Sequence, residues 1–225
     1  MRRRLYLMRH GEVSYFENDG RPVRPEQVPL TERGREQARR AGEALAGSRL
    51  DRVVTSGLPR TLETAGLAAP AAEAESWPEL RELRSGRIHE IPDGELEAAF
   101  TGAFRGDVPL EARFLGGETI GSLVDRVIPE LERLLADRSW DTALAVLHGG
   151  VNRAILTYAL TGERRFLGGF EQAPGCLNVL DVGEDWIVRA VNHVPGDPLH
   201  AGGRSTTMED LYGQYLPYRK ARPTP

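Results

Sequence analysis

The chain has 225 residues, 40% hydrophobic and 28% charged, with 29 Lys and Arg against 33 Asp and Glu, and one cysteine. That length can bury the core of one large domain or two small ones, and a lone cysteine excludes a disulfide framework. A net charge of −4 gives no global attraction to nucleic acid or an anionic membrane, so any preference for an anion is local.

The first residues, Met1-Arg2-Arg3-Arg4, are followed by only four apolar residues, Leu5 to Met8, before Arg9. That run is too short for a signal core or a membrane span. No other segment approaches about 18 consecutive apolar residues, so the expectation is a soluble protein of the reducing cytoplasm, with Cys176 a small core residue. Leu5 to Met8 reads as a buried strand ending at Gly11, and residues 12 to 29, with Asn18-Asp19-Gly20 and three prolines, as loop. Thr31 offers an N-cap, and Gly34, Ala38, Ala41 and Leu45 form the small-residue face of an amphipathic helix ending near Gly47. Leu50 to Thr55 predicts a second strand and Leu58 to Ala69 a second helix. Alternating strands and helices imply a parallel sheet with helices on its faces.

Residues 70 to 117, rich in Pro and Gly, break this rhythm and read as an irregular insertion covering the site. From Ile120 to about Ala136 an apolar helical face returns, with Pro129 expected to kink the helix or bound its first part. Thr142 to Leu147 is an apolar strand followed by His148-Gly149-Gly150, and Val151 to Leu160 a helix. Leu177 to Val182 and Trp186 to Val191 flank Gly183-Glu184-Asp185 as a hairpin, and residues 195 to 225 read as an irregular tail. The expected fold is a three-layer α/β/α sandwich with a mostly parallel central sheet and one antiparallel edge hairpin strand. Residues 1–225 form a single domain in this reading, with 83–117 as insertion or lid.

Ligand sites in open α/β sheets lie beyond the carboxyl ends of the strands. Arg9-His10, Ser56 to Arg60 and His148-Gly149-Gly150 each follow a predicted strand. Two histidines and two arginines therefore converge at one sheet edge, without any spacing that suggests a metal. Arginine forks grip phosphate oxygens, and neutral histidine serves as nucleophile or hydrogen-bond donor, so the cluster reads as a phosphate pocket.

Leu7-Met8-Arg9-His10-Gly11-Glu12, Leu30-Thr31-Glu32-Arg33-Gly34, Ser56-Gly57-Leu58-Pro59-Arg60-Thr61, Leu80-Arg81-Glu82-Leu83 and His148-Gly149-Gly150 with Arg153 occur in that order. Together they resemble the successive motifs of the histidine phosphatase superfamily, the phosphoglycerate mutase-like proteins. The resemblance implies that His10 takes the phosphoryl group and that Glu82 is the acid protonating the leaving alcohol. Arg9, Arg60 and His148, with Gly149 beside them, would hold the phosphate. Glu12, Glu79, Glu90, Glu95 and Glu118 are rival carboxylates, and whether His89, His193 or His200 reaches the site is left open.

Val13 and Phe16 stand where the family often has Thr and Asn, and Leu83-Arg84-Ser85-Gly86 replaces the Arg-rich, Tyr-containing stretch of cofactor-dependent mutases. The expectation is therefore a metal- and cofactor-independent phosphomonoesterase acting on a small phosphorylated metabolite through phosphohistidine. A phosphomutase and a non-enzymatic phosphoprotein-binding module are the alternatives. No nucleic-acid or membrane partner is expected, and the assembly is open between a monomer and a homodimer.

Overall fold

A computed structural model describes residues 2–17 and 21–221; the Asn18-Asp19-Gly20 part of the predicted loop lies outside them. Six strands form one sheet: β1 (Arg3–Arg9), β2 (Arg52–Thr55), β3 (Ala74–Ser76), β4 (Thr142–Leu147), β5 (Leu177–Val182) and β6 (Trp186–His193). Their order is β3-β2-β4-β1-β5-β6. Strands β1 to β4 run parallel, whereas β5 is antiparallel to β1 and hairpins into β6. The antiparallel strand is thus β5, one place inside the sheet, and β6 forms the edge.

Residues along β4 alternate between two cores. Leu144 and Val146 pack with Ala41, Leu45 and Ala65 of α1 (Glu32–Leu45) and α2 (Pro59–Ala68). Ala143, Ala145 and Leu147 pack with Leu123, Val127 and Leu156 of α4 (Ile120–Ala136) and α5 (Gly149–Thr161). This period of two, buried on both faces, is what an internal parallel strand requires. Helix α1 begins as predicted, with Thr31 Oγ1 accepting the Gly34 N–H at 3.0 Å and Gly34, Ala38, Ala41 and Leu45 buried.

Helix α4 runs unbroken through Pro129, which does not bound it. Buried residues from Ile120 to Leu134 hold both sides of the proline against the core, and that packing outweighs one lost backbone bond.

The segment from 70 to 117 is more regular than its composition suggests. It contains β3, α3 (Asp93–Thr101) and short 3-10 turns at Pro78–Leu80, Ile88–Glu90, Gly102–Phe104 and Phe114–Gly116. Leu96, Phe100, Val108 and Leu115 are buried in the larger core, so this stretch is part of the packed structure.

The tail expected to be irregular from 195 instead carries α6 (Thr207–Ala221). Its fully buried positions are Tyr215 and Arg219, and Met208, Leu211, Tyr212 and Tyr218 pack half-buried on the same core, a largely aromatic stripe at helical spacing that Gly213 and Pro217 interrupt. Tyr215 stacks against Phe100 at 5.6 Å and Phe16 at 6.0 Å. Arg219 donates to Asp93 and to the carbonyls of His89 and Ile91 at 2.8 to 2.9 Å. The two segments left unassigned by periodicity thereby pack on each other.

Candidate active site

Strand register makes the site. Arg9 of β1 lies opposite Leu147 of β4, and Thr55 of β2 opposite Val146, so these strands end level and release His10, His148 and Ser56 side by side. Gly11 allows the chain to turn away over α1: a β-carbon there would lie 2.3 Å from the Gly34 carbonyl oxygen, and one on Gly34 would lie 2.2 Å from that of Glu12.

His10 is buried, and its Nδ1 sits 2.8 Å from the Gly11 carbonyl oxygen. A carbonyl only accepts, so Nδ1 carries the proton and Nε2 keeps its lone pair. Burial holds the imidazole well below its usual pKa, and the Arg60 and Arg9 charges push it the same way.

The ring of His148 crosses that of His10 edge to face at a centroid separation of 5.1 Å. His148 Nε2 lies 2.8 Å from Ser56 Oγ. Burial first, then Arg60, His10 and Arg9, lowers its pKa too. Arg60, buried in the first turn of α2, donates to the Pro25 carbonyl at 2.6 Å. Arg9 donates through Nη1 to the Gln172 carbonyl and, at 3.0 Å, to Thr207 Oγ1 at the start of α6.

Arg9 Nε, Arg60 Nε and His148 Nδ1 are all buried without a protein partner. Buried polar atoms are seldom left unsatisfied. Two guanidinium donors, with a histidine nitrogen that can take up a proton beside them, suit a tetrahedral anion.

Behind them, Arg153 of α5 donates to the Gly168 carbonyl and to Glu171, both at 3.0 Å. Burial lowers its pKa to about 10 against the raising influence of Glu171. Gly149 begins α5 with its α-carbon face against Arg153 Nη1 and Arg9.

Glu82 reaches the cluster from the segment after the Pro78–Leu80 turn. Its carboxylate accepts from its neighbour Leu83 N–H and from Gly150 N–H, both at 2.9 Å. Arg126 of α4 holds that segment, donating to the carbonyls of Glu79, Arg81 and Glu82 at 2.5, 2.6 and 3.2 Å and to Glu118 at 2.8 Å. Glu118 is thereby a structural anion, held below the usual carboxylate range by Arg126 and the Arg84 N–H against the opposing effect of burial.

The other rival carboxylates are placed elsewhere. Glu12 accepts from Thr31, Glu90 pairs with Arg87, and Glu79 and Glu95 are exposed. His89 is exposed beside Glu90, His193 ends β6 opposite Leu177, and His200 bonds the Asn192 carbonyl. The structure thus brings together Arg9, His10, Arg60, Glu82, His148 and Gly149. Among the described residues no three His, Cys, Asp or Glu side chains are grouped as metal ligands, and no helix is long and apolar enough to cross a membrane.

Sequence reasoning missed Arg126 and Thr207 as supports. An arginine on an otherwise apolar helix and a threonine in a tail carry no local signal for a contact more than 40 residues away. Ser56 belongs to the Ser56–Thr61 motif, but its 2.8 Å approach to His148 is visible only in the fold.

Residues 5–193 match the model of the histidine phosphatase superfamily, branch 1. The chain belongs to the histidine phosphatase superfamily. It is 30% identical to the adenosylcobalamin/alpha-ribazole phosphatase of Salmonella typhimurium, over 84% of this chain and 95% of that protein. It is 34% identical to the glucosyl-3-phosphoglycerate phosphatase of Mycolicibacterium vanbaalenii, over 71% and 75% of the two chains. Phosphoglycerate mutase-like protein 4 of Arabidopsis thaliana is 28% identical over 87% and 86%. Among solved structures, a mycobacterial glucosyl-3-phosphoglycerate phosphatase complexed with VO3 superposes with a TM-score of 0.67 at 24% identity, covering 84% of this chain and 98% of that one. This last likeness speaks for the histidine phosphatase fold alone.

Proposed function

We propose that this chain is a phosphomonoesterase that hydrolyses a small phosphorylated metabolite through a phosphohistidine on His10, without a metal or other cofactor. The observation that carries this reading is the Nδ1–H bond from His10 to the Gly11 carbonyl. It aims an unprotonated Nε2 into a pocket with unpartnered guanidinium nitrogens of Arg9 and Arg60.

The proposed steps follow from that geometry. Arg9, Arg60 and His148, with the start of α5 at Gly149, bind the phosphate and stabilise the charge on its equatorial oxygens. His10 Nε2 attacks phosphorus, the P–O bond to the alcohol breaks, and the Glu82 carboxylic acid gives its proton to the departing oxygen. A water then loses a proton to the Glu82 carboxylate and attacks the phosphohistidine. Inorganic phosphate leaves, and neutral His10 and protonated Glu82 are restored.

Relatives named as phosphatases support hydrolysis. Relatives named as probable phosphoglycerate mutases keep a mutase reading alive. Against it, Leu83 to Gly86 lacks the Arg-rich, Tyr-containing stretch of cofactor-dependent mutases, and Arg84 there turns to Glu118. The cytoplasm is the proposed location.

The test is a panel of phosphorylated metabolites assayed in EDTA with wild type and His10→Ala side by side. Phosphate release by the wild type alone supports the reading; no release from any compound defeats it. Isomerisation of 3- to 2-phosphoglycerate stimulated by 2,3-bisphosphoglycerate would favour the mutase.

A further inference from the structure

The hydroxyl groups behind His148 fix where its proton sits. Thr61 Oγ1 approaches the Leu58 carbonyl oxygen to 2.8 Å, and two oxygens that close need a proton between them, so the Thr61 hydroxyl donates to Leu58. Thr61 Oγ1 also lies 3.1 Å from Ser56 Oγ. With its one proton committed, Thr61 can only accept there, and the Ser56 proton points to Thr61. Ser56 Oγ is then an acceptor toward its other neighbours, the Leu58 N–H at 3.4 Å and His148 Nε2 at 2.8 Å. His148 therefore carries its proton on Nε2, and the buried, unpartnered Nδ1 is a bare lone pair.

Resting on the phosphate-pocket reading above, we propose that Thr61, acting through Ser56, is a positioning residue that holds His148 as the Nε2–H tautomer. The site then accepts a tetrahedral dianion only together with one proton. A lone pair on Nδ1 repels a phosphate oxygen. Binding becomes favourable when that nitrogen gains a proton, either from the monoanionic form of the ester or from solvent. The charged and titratable groups around His148 are Arg9 and His10 at the end of β1, Arg60 on α2, Arg126 on α4 and Arg153 on its own helix, with Glu82 docked on Gly150. The cations oppose protonation of the empty site, and an incoming dianion offsets them.

Sulfate serves as the probe because it is a tetrahedral dianion with no proton of its own near neutral pH. Glu82→Gln serves as the background, so that the carboxyl cannot take up the proton. Calorimetry at pH 8 in two buffers of different ionisation enthalpy is expected to show uptake of about one proton per sulfate, with affinity falling about tenfold per pH unit above that point. Adding Thr61→Val removes the acceptor for the Ser56 proton, so Ser56 donates to Nε2, the His148 proton moves to Nδ1, and proton uptake and the pH slope fall toward zero. Leu58 keeps the Thr61 and Leu62 N–H donors at 2.9 and 3.0 Å, and Thr61→Ser is expected to restore the uptake.

Sulfate binding without proton uptake, or uptake unchanged in the Thr61→Val protein, overturns this proposal alone, whereas no sulfate binding at all overturns the phosphate-pocket reading with it. Long-range 1H–15N spectra of the ligand-free wild type, with His148 assigned by its loss in His148→Gln, test the tautomer without any change at Thr61. An Nε2–H pattern is expected, and an Nδ1–H pattern contradicts the proposal.

Discussion

The Glu82 carboxylate is seated on the backbone of Gly150, two residues beyond His148: Glu82 Oε2 accepts the Gly150 N–H at 2.9 Å. A β-carbon on Gly150 would stand 2.5 Å from Glu82 Oε1. The proposed acid and the histidine proposed to bind phosphate are therefore held in one frame, and glycine is the residue that permits it.

Gly150→Ala displaces the Glu82 carboxylate while leaving His10 in place. Its kcat is expected to fall about 10²-fold with alkyl phosphates, in line with the cost of misplacing a catalytic group by about 1 Å. Steady-state kinetics with an alkyl phosphate and with p-nitrophenyl phosphate measure this. An equal loss on both would show that the carboxylate is not the acid.

Glu82→Gln removes the transferable proton but keeps the shape. Turnover of substrates with poor leaving groups is expected to drop about 10² to 10⁴-fold, the usual range for general acid catalysis. The aryl ester, whose leaving group needs little protonation, is expected to lose much less.

Arg126→Ala strips the donor from the carbonyls of Glu79, Arg81 and Glu82 and leaves Glu118, whose side chain is only 3% exposed, without its nearest cation. A loss of about 2 kcal/mol of stability and a kcat deficit larger than the KM change are expected. Urea unfolding and kinetics on one preparation check both. Unchanged kcat would mean that the segment bearing Glu82 does not need this clamp.

Both site histidines have folded pKa values lowered chiefly by burial, against about 6.5 in the unfolded chain. Below pH 6.5 the unfolded chain binds more protons than the folded one, so stability falls as pH drops through that value and is level above it. The slope is at most about 3 kcal/mol per pH unit for the two together. Urea midpoints at pH 7.5 and 5.5 test this, and His148→Ala is expected to cut the difference by about half.

Cys176 is buried, and its thiol pKa is pushed up to about 12, mainly by burial. The folded protein is therefore expected to resist alkylation at neutral pH, and Cys176→Ala to retain wild-type turnover. Rapid labelling of the native chain would contradict that placement.

What the sequence showed and what it hid divide along physical lines. The strand ends carrying His10 and His148 were legible because apolar runs and glycine turns are local signals, and α1 because Thr31 and its small-residue face are. Helix α6 was passed over although Met208, Leu211, Tyr212, Tyr215 and Tyr218 recur at helical spacing, because Gly213 and Pro217 interrupt the stripe and its partners, Phe100 and Asp93, lie in a distant segment. Arg126 was hidden because its partners at Glu79, Arg81 and Glu82 lie 44 to 47 residues away. Contacts of that separation leave no period in the chain.

The central claim is a covalent phosphohistidine on His10. Rapid quenching of the wild-type enzyme with a 32P-labelled substrate, followed by peptide mapping, tests it most directly. The account predicts acid-labile, alkali-stable label on the peptide containing His10, with neither label nor turnover in His10→Ala. Label on another residue, or wild-type hydrolysis by His10→Ala, would contradict it.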